Sequence, residues 1–267
     1  MASPIFIMQH WNMQLRVFLT SLGSLKKQYN SQSIHDLRVS VKKLRAYLKA
    51  VHLFKKAMDY KTEFKETDNL FKLLGKHRDL DVSIGMIKTF EKKKGVKLDF
   101  FSGVLQDRLH SLAGWMEPAI GQFDEKALLD LTSKVKDAFK DVSDTRFSIW
   151  VINNVARSYT KVAGRADRLD QKTHDIRKSL KDVLYQAELL PREKIRAHVP
   201  IPKIRKLLRH LGDWQDQEML DQKVKHFRKD FIPSSRHEFD LLKQVEEDVE
   251  ANKQELLKRC RKIFIQQ

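Results

Sequence analysis

The chain has 267 residues, enough to bury a core without disulfides or structural metal, and its single cysteine, Cys260, excludes an internal disulfide and points to a reducing compartment. Lys and Arg number 52 against 35 Asp and Glu, a formal charge of +17 that exceeds what solubility requires. That charge selects polyanions as partners (nucleic acid, phosphate polymers or an anionic membrane surface), while the lack of any run of about 18–20 apolar residues argues against membrane insertion and for a cytoplasmic protein.

Nine glycines and six prolines separate long segments with apolar residues at three- and four-residue spacing, and no stretch alternates apolar and polar residues around hairpin turns. An all-α protein is expected. The opening MASPIFIMQHWNMQLRVFL has no basic n-region, and Gln9, His10 and Asn12 interrupt its apolar run, so it reads as an amphipathic helix rather than a signal peptide. The predicted helices are Phe6–Tyr29, Ser33–Lys56, Tyr60–Leu74, Leu80–Lys94 and Asp99–Trp115. After a break at Glu117-Pro118 follow Asp124–Asp141, Thr145–Asp167, Thr173–Leu190, Pro202–Leu211, Asp213–Lys229 and Ser235–Phe264. Gly75 and Gly212 are read as helix stops, with Asp79 or Asp81, and Asp213 with Asp216, near the next helix starts.

The sequence repeats itself. HDLRVSVKKLRAYL from His35 and HDIRKSLKDVLY from His174 align Asp36 with Asp175, Arg38 with Arg177 and Lys42 with Lys181. Further on, Leu74-Gly75 matches Leu211-Gly212, Lys72 matches Arg209, Asp79 matches Asp216, and Arg78 falls opposite the neutral Gln215. Repeats over about 6–141 and 145–264, within one domain of 1–267, imply two similar helical bundles related by a pseudo-twofold axis.

At 100° per residue, His35, Arg38, Lys42, Arg45 and Lys49 fall within roughly 80° of a helical wheel, opposite an apolar flank of Leu37, Val41, Leu44 and Leu48. His174, Arg177, Lys178 and Lys181 begin the same stripe in the second copy, opposite Ile176, Leu180, Val183 and Ala187. A solvated face normally mixes signs at i,i+4, but the first stripe contains no acid. With Ser33 as N-cap and Asp36 at N3, His35 and Arg38 would stand in the first turn, where the helix dipole disfavours cations unless an anion binds. His35 and His174 each admit two readings: a buried imidazole tying its helix start to a neighbour, or a donor to phosphate oxygen. Lys72 and Arg209, basic in both copies, complete the candidate set.

His-Asp-Leu-Arg-x3-Lys-x2-Arg, followed by Leu-Gly-x2-Arg-Asp-Leu-Asp and a weaker second copy, resembles the CHAD domain, the conserved histidine α-helical domain, over about Phe6 to Phe264. The resemblance implies two four-helix bundles around a basic central cavity that binds inorganic polyphosphate, often at polyphosphate granules. It carries the family's basic positions onto His35, Arg38, Lys42 and Arg45, and onto His174, Arg177 and Lys181. Leu184 stands where Arg45 predicts a cation and Glu188 stands at the position of Lys49, so the second track should be less basic at that end. Many relatives carry a triphosphate-tunnel domain marked by Glu-x-Glu-x-Lys; this sequence shows no such strand, and a stand-alone module is expected.

The leading expectation is therefore a non-catalytic polyphosphate-binding protein without a cofactor, in which many weak Lys and Arg contacts add through the connectivity of the polymer. Two readings compete. His-Asp dipeptides also occur in metal-dependent HD-type phosphohydrolases, but Arg and Lys neighbours would repel a metal ion. Nonspecific nucleic-acid binding fits the charge, but base stacking wants aromatics beside the cations and the first stripe has none, while Trp11, Trp115, Trp150 and Trp214 have spacings suited to packing.

Overall fold

The structure is a computed structural model and describes residues 5–56, 59–230 and 236–265. Met1–Pro4 of the opening segment and Ser235, the expected start of the last helix, lie outside these. Among the described residues there is no strand. The helices are α1 (Ile5–Lys27), α2 (Ser31–Lys55), α3 (Tyr60–Glu63), α4 (Lys65–Lys94), α5 (Asp99–Gly121), α6 (Glu125–Ala138), α7 (Asp144–Ala163), α8 (Leu169–Ala187), α9 (Arg192–Ile195), α10 (Ile201–Asp230) and α11 (Arg236–Ile265), with a 3-10 turn at Ala166–Arg168.

Four expected boundaries are corrected. Asn30, not Ser33, caps α2: its side-chain oxygen accepts from the Ser33 N–H at 2.7 Å, so the helix starts two residues earlier. His35 and Arg38 thus lie beyond the first turn, and the dipole no longer explains them. The helices expected on either side of Gly75 are one helix, α4, and those flanking Gly212 are one helix, α10. A glycine stops a helix when it adopts positive φ, and among the described glycines only Gly95 does, at φ 67. There Val96 N–H donates to the Glu91 carbonyl at 3.1 Å, the closing bond of a Schellman turn that ends α4 at Lys94. Pro118 lies inside α5 rather than ending it. Its missing N–H forfeits one backbone bond in the last turn of the helix.

The chain forms two compact units. The first comprises Met1–Gly75, Met116–Gly164 and Lys178–Ile204, and the second Lys76–Trp115, Arg165–Arg177 and Arg205–Gln267. Each draws on both sequence repeats.

In the first unit α1 packs against α2 along the apolar flank read from the wheel: Leu37, Val41, Leu44 and Leu48 are fully buried, with Ile7, Trp11, Phe18 and Leu22 of α1. Trp11 stacks at a tilt on Tyr47 at 5.2 Å and donates its indole N–H to Thr132 at 2.9 Å. Phe54, Phe139, Phe147 and Trp150 form an edge-and-face aromatic cluster. Trp115 is not a packing residue: it is 75% exposed.

The second unit has its own core. Leu80, Ile87 and Phe90 of α4, Leu98, Phe101 and Leu105 around α5, Leu220, Val224 and Phe227 of α10, and Leu242, Val245 and Val249 of α11 pack together. Phe101 and Phe227 meet edge to face at 4.9 Å. The buried Glu238 carboxylate accepts from the Phe101 N–H at 2.8 Å, satisfying one of the donors that a helix start leaves unpaired.

Candidate functional site

The basic stripe of α2 meets α4 inside the first unit. The Arg38 guanidinium donates to the Phe71 carbonyl at 2.7 Å and lies over the Phe71 ring at 4.4 Å; Arg45 lies over the same ring at 4.6 Å, and the Lys42 ammonium is 5.8 Å from its centre. Three cations spaced at i, i+4 and i+7 on one helix therefore share a single aromatic ring of another. The ring's negative face attracts each of them, which partly offsets their mutual repulsion. Lys72, the next residue of α4, is exposed.

Gly75 explains how the guanidinium comes so close. A Cβ built at position 75 would stand 2.6 Å from Arg38 Nη1, nearer than atoms can approach. The residue read as a helix stop is a gap in the side-chain surface of α4 that admits Arg38. Gly212 has no such neighbour within 4 Å.

The stripe is not free of acids once the chain folds. Asp68 accepts from Arg45 Nε at 2.9 Å, and Lys49 pairs with Asp182 of α8 at 2.5 Å. Lys43 pairs with Glu188 at 3.2 Å. A step forward along α2 from Lys43 to Lys49 matches an equal step back from Glu188, just past the end of α8, to Asp182 within it, so the two helices run antiparallel here. Lys181 is thereby brought level with the far end of the stripe, with exposed Lys178 a turn beyond it. From His35 to Lys49 the stripe spans about 21 Å of helix.

His35 and His174 are both exposed, so neither is a buried imidazole. His174 Nδ1 is 3.0 Å from Gln215 Oε1. It follows the kink of α8 at Lys172 by two residues, so the second copy does place its histidine just after a break in the helix. Leu184, at the position where Arg45 predicts a cation, is buried in the core.

Eight candidates, His35, Arg38, Lys42, Arg45, Lys49, Lys72, Lys178 and Lys181, belong to the first unit, and His174, Arg177 and Arg209 to the second. In the second unit the cations are interleaved with carboxylates. Burial raises the Asp216 carboxyl above its ordinary value, against the pull of Arg78 and Arg177 and with the added push of Asp79 and Asp213. Burial likewise lowers the Lys223 ammonium, opposed by Asp79 and Asp216. Arg209 is exposed on α10.

Reasoning from the sequence missed Phe71, Asp68 and the role of Gly75. Their signal was present: 68, 71 and 75 recur at helical spacing on one face of α4. The expectation that no aromatic stands beside the stripe is also corrected, because Phe71 arrives from a different helix. Among the described residues no group of three or more His, Cys, Asp or Glu side chains is arranged to hold a metal ion.

The sequence profile of the CHAD domain matches residues 11–225. No curated protein matches the sequence significantly. Among solved structures, the crystal structure of the CHAD domain from the plant Ricinus communis superposes with a TM-score of 0.76 at 16% identity, covering 98% of this chain and 91% of that one. PptA from Streptomyces chartreusis superposes with a TM-score of 0.69 at 11% identity, covering 99% of each chain. Both likenesses are of fold alone, but the profile spans most of the sequence, including both His-Asp motifs, and the chain belongs to the CHAD domain family.

Proposed function

We propose that the protein binds inorganic polyphosphate without catalysing a reaction on it, and that the α2 stripe of the first unit is the principal contact. The observation that carries this reading is the gathering of Arg38, Lys42 and Arg45 around the Phe71 ring, beside exposed Lys72 and His35. The Phe71 ring and Asp68 offset part of the repulsion among these like charges, and a bound anion would lower its cost further. Arg38 is held by a backbone carbonyl, which fixes the plane of its guanidinium, and a guanidinium so fixed suits contact with phosphate oxygens. Lys42 and Lys72 act as point charges, while Lys181 and Lys178 extend the track along α8. A polymer that touches several of these gains through connectivity, and each contact displaces counterions, so binding weakens steeply with salt. Family membership supports the same ligand.

A nucleic-acid reading would use Phe71 as a stacking platform. The ring is half-buried and already holds two guanidiniums within 4.6 Å, so it serves the protein's own cations rather than a base.

The test is affinity for long-chain polyphosphate in the wild type and in Arg38→Glu/Lys42→Glu, with DNA as competitor and phosphate release followed with and without divalent metal. The double variant is expected to lose binding by two orders of magnitude or more while keeping its helical circular dichroism. Unchanged affinity in a folded variant removes α2 from the site; DNA competing equally, or phosphate release, replaces the reading.

A further inference from the structure

In the second unit α10 and α11 run antiparallel: Lys253 of α11 pairs with Glu218 of α10 at 2.8 Å and Glu246 of α11 with Arg228 of α10 at 2.5 Å, so a step forward on one helix is a step back on the other. Around these pairs the two helices mix their signs. Lys253 also reaches Asp221 at 3.7 Å and Glu250 at 3.1 Å, and Lys225 pairs with Asp221 at 2.7 Å. The other end of the same helix pair is different. Neither Arg205–Gly212 nor Leu256–Ile265 contains an Asp or Glu, while the first carries Lys206, Arg209 and His210 and the second Lys258, Arg259 and Lys262. Arg209 and Lys262 each lie nine residues beyond a partner of the Lys253–Glu218 pair, which sets them level with each other.

The crowding reaches one side chain from both helices. Burial lowers the His210 imidazole below its ordinary value; Asp213 opposes this, and Arg259 of α11 lowers it further together with Lys206 and Arg209 of α10. Glu255 holds Arg259 at 2.9 Å, and Arg261 turns aside to Asp170 of α8. Lys206, Arg209, Lys258 and Lys262 are exposed and form no ion pair among the described residues. The negative end of the α11 dipole accounts for Lys262 in its last turn, but not for Lys206 and Arg209. A solvated helix pair mixes charges as the far end of this one does.

We propose that the acid-free end of the α10–α11 pair is a second binding surface for inorganic polyphosphate, centred on Lys206, Arg209 and Arg259 and flanked by Lys258 and Lys262. The choice of ligand rests on the polyphosphate reading above, but the surface uses no residue of α2. Its cations are spread over two helices, so several phosphates in a row match them better than one compact anion. Each phosphate relieves repulsion among the cations and displaces their counterions.

The full-length protein is titrated at low salt with linear tripolyphosphate, a probe short enough to report each surface by itself, while the His210 and His35 imidazoles are followed by NMR. A phosphate seated among Lys206, Arg209 and Arg259 offsets their effect on His210, so the midpoint of its titration should rise saturably by about half a pH unit or more. Lys206→Glu/Arg259→Glu should weaken binding read at His210 by about five-fold or more and leave that read at His35; Arg38→Glu/Lys42→Glu should do the reverse. A His210 midpoint that stays in place while His35 responds overturns the second surface and leaves the first. A response at His210 alone supports the second surface and removes α2 from the reading. Binding at His210 that survives Lys206→Glu/Arg259→Glu overturns the assignment, and a single-stranded DNA of equal charge that moves His210 at lower concentration overturns polyphosphate as its ligand.

Discussion

The guanidinium of Arg38 fills the space that any side chain at position 75 would need, with Nη1 2.6 Å from where a Cβ would stand. Gly75 is therefore part of the proposed binding surface although it offers no group to a ligand. Gly75→Ala displaces the guanidinium and its bond to the Phe71 carbonyl, but alanine favours the helix by about 1 kcal/mol. The two effects oppose each other in stability and not in binding. The variant should keep its thermal midpoint to within a few degrees and bind polyphosphate about ten-fold more weakly; calorimetric melting and a binding titration on the same sample check both. Wild-type affinity in Gly75→Ala would show that the position of Arg38 is immaterial.

Asp68 holds Arg45 through its Nε and Nη2 groups, and Asp182 holds Lys49. These carboxylates compete with a phosphate for the same cations. Asp68→Asn and Asp182→Asn should each raise polyphosphate affinity, by roughly two- to ten-fold at low salt, and steepen its salt dependence by about one released counterion. Stability should fall by no more than about 1 kcal/mol, since both pairs are partly exposed. Binding measured from low to moderate salt reads the slope directly, and a lower affinity in either variant would assign its acid to the binding surface.

His10 is packed in the first unit against Tyr47, with ring centres 6.4 Å apart. Burial, reinforced by Lys43 and opposed by Glu188, lowers its imidazole to about 4. Its folded value lies below the ordinary 6.5, so the unfolded chain takes up the proton first. The stability that depends on neutral His10 is complete above pH 6.5 and is lost as the pH falls from there toward 4, by up to roughly 3 kcal/mol. His10→Phe should flatten the melting temperature across that window. An unchanged pH profile in the variant would place the acid sensitivity elsewhere.

Phe227 lies at the centre of the second core, 4.9 Å from Phe101 and 5.5 Å from Phe100. Phe227→Ala should cost about 3–5 kcal/mol through lost burial and the cavity left behind. Urea unfolding measures the loss, and a change below about 1 kcal/mol would contradict the packing described.

The all-α fold, the apolar flank of α2 and the end of α4 at Lys94 were legible because each follows from local periodicity or from one capping residue. Gly75 and Gly212 were misread for the same reason: a glycine after a leucine looks like a stop, and only the conformation of the backbone shows that the stop is Gly95. Ser33 was taken as the cap because it precedes an apolar run, although Asn30 offers the same oxygen one turn earlier.

By itself the sequence determined that four cations and a histidine lie on one face of one helix, since helical geometry fixes the relation between residues a few positions apart. It could not determine what stands opposite that face. Phe71, Asp68 and Asp182 reach α2 from 26, 23 and 133 residues after Arg45, Arg45 and Lys49 respectively, and distance along the chain carries no information about such meetings. The tertiary structure decided which cations are neutralised by the protein itself and which are gathered on a shared ring, because Coulomb and van der Waals forces act through space and are settled only when the helices pack.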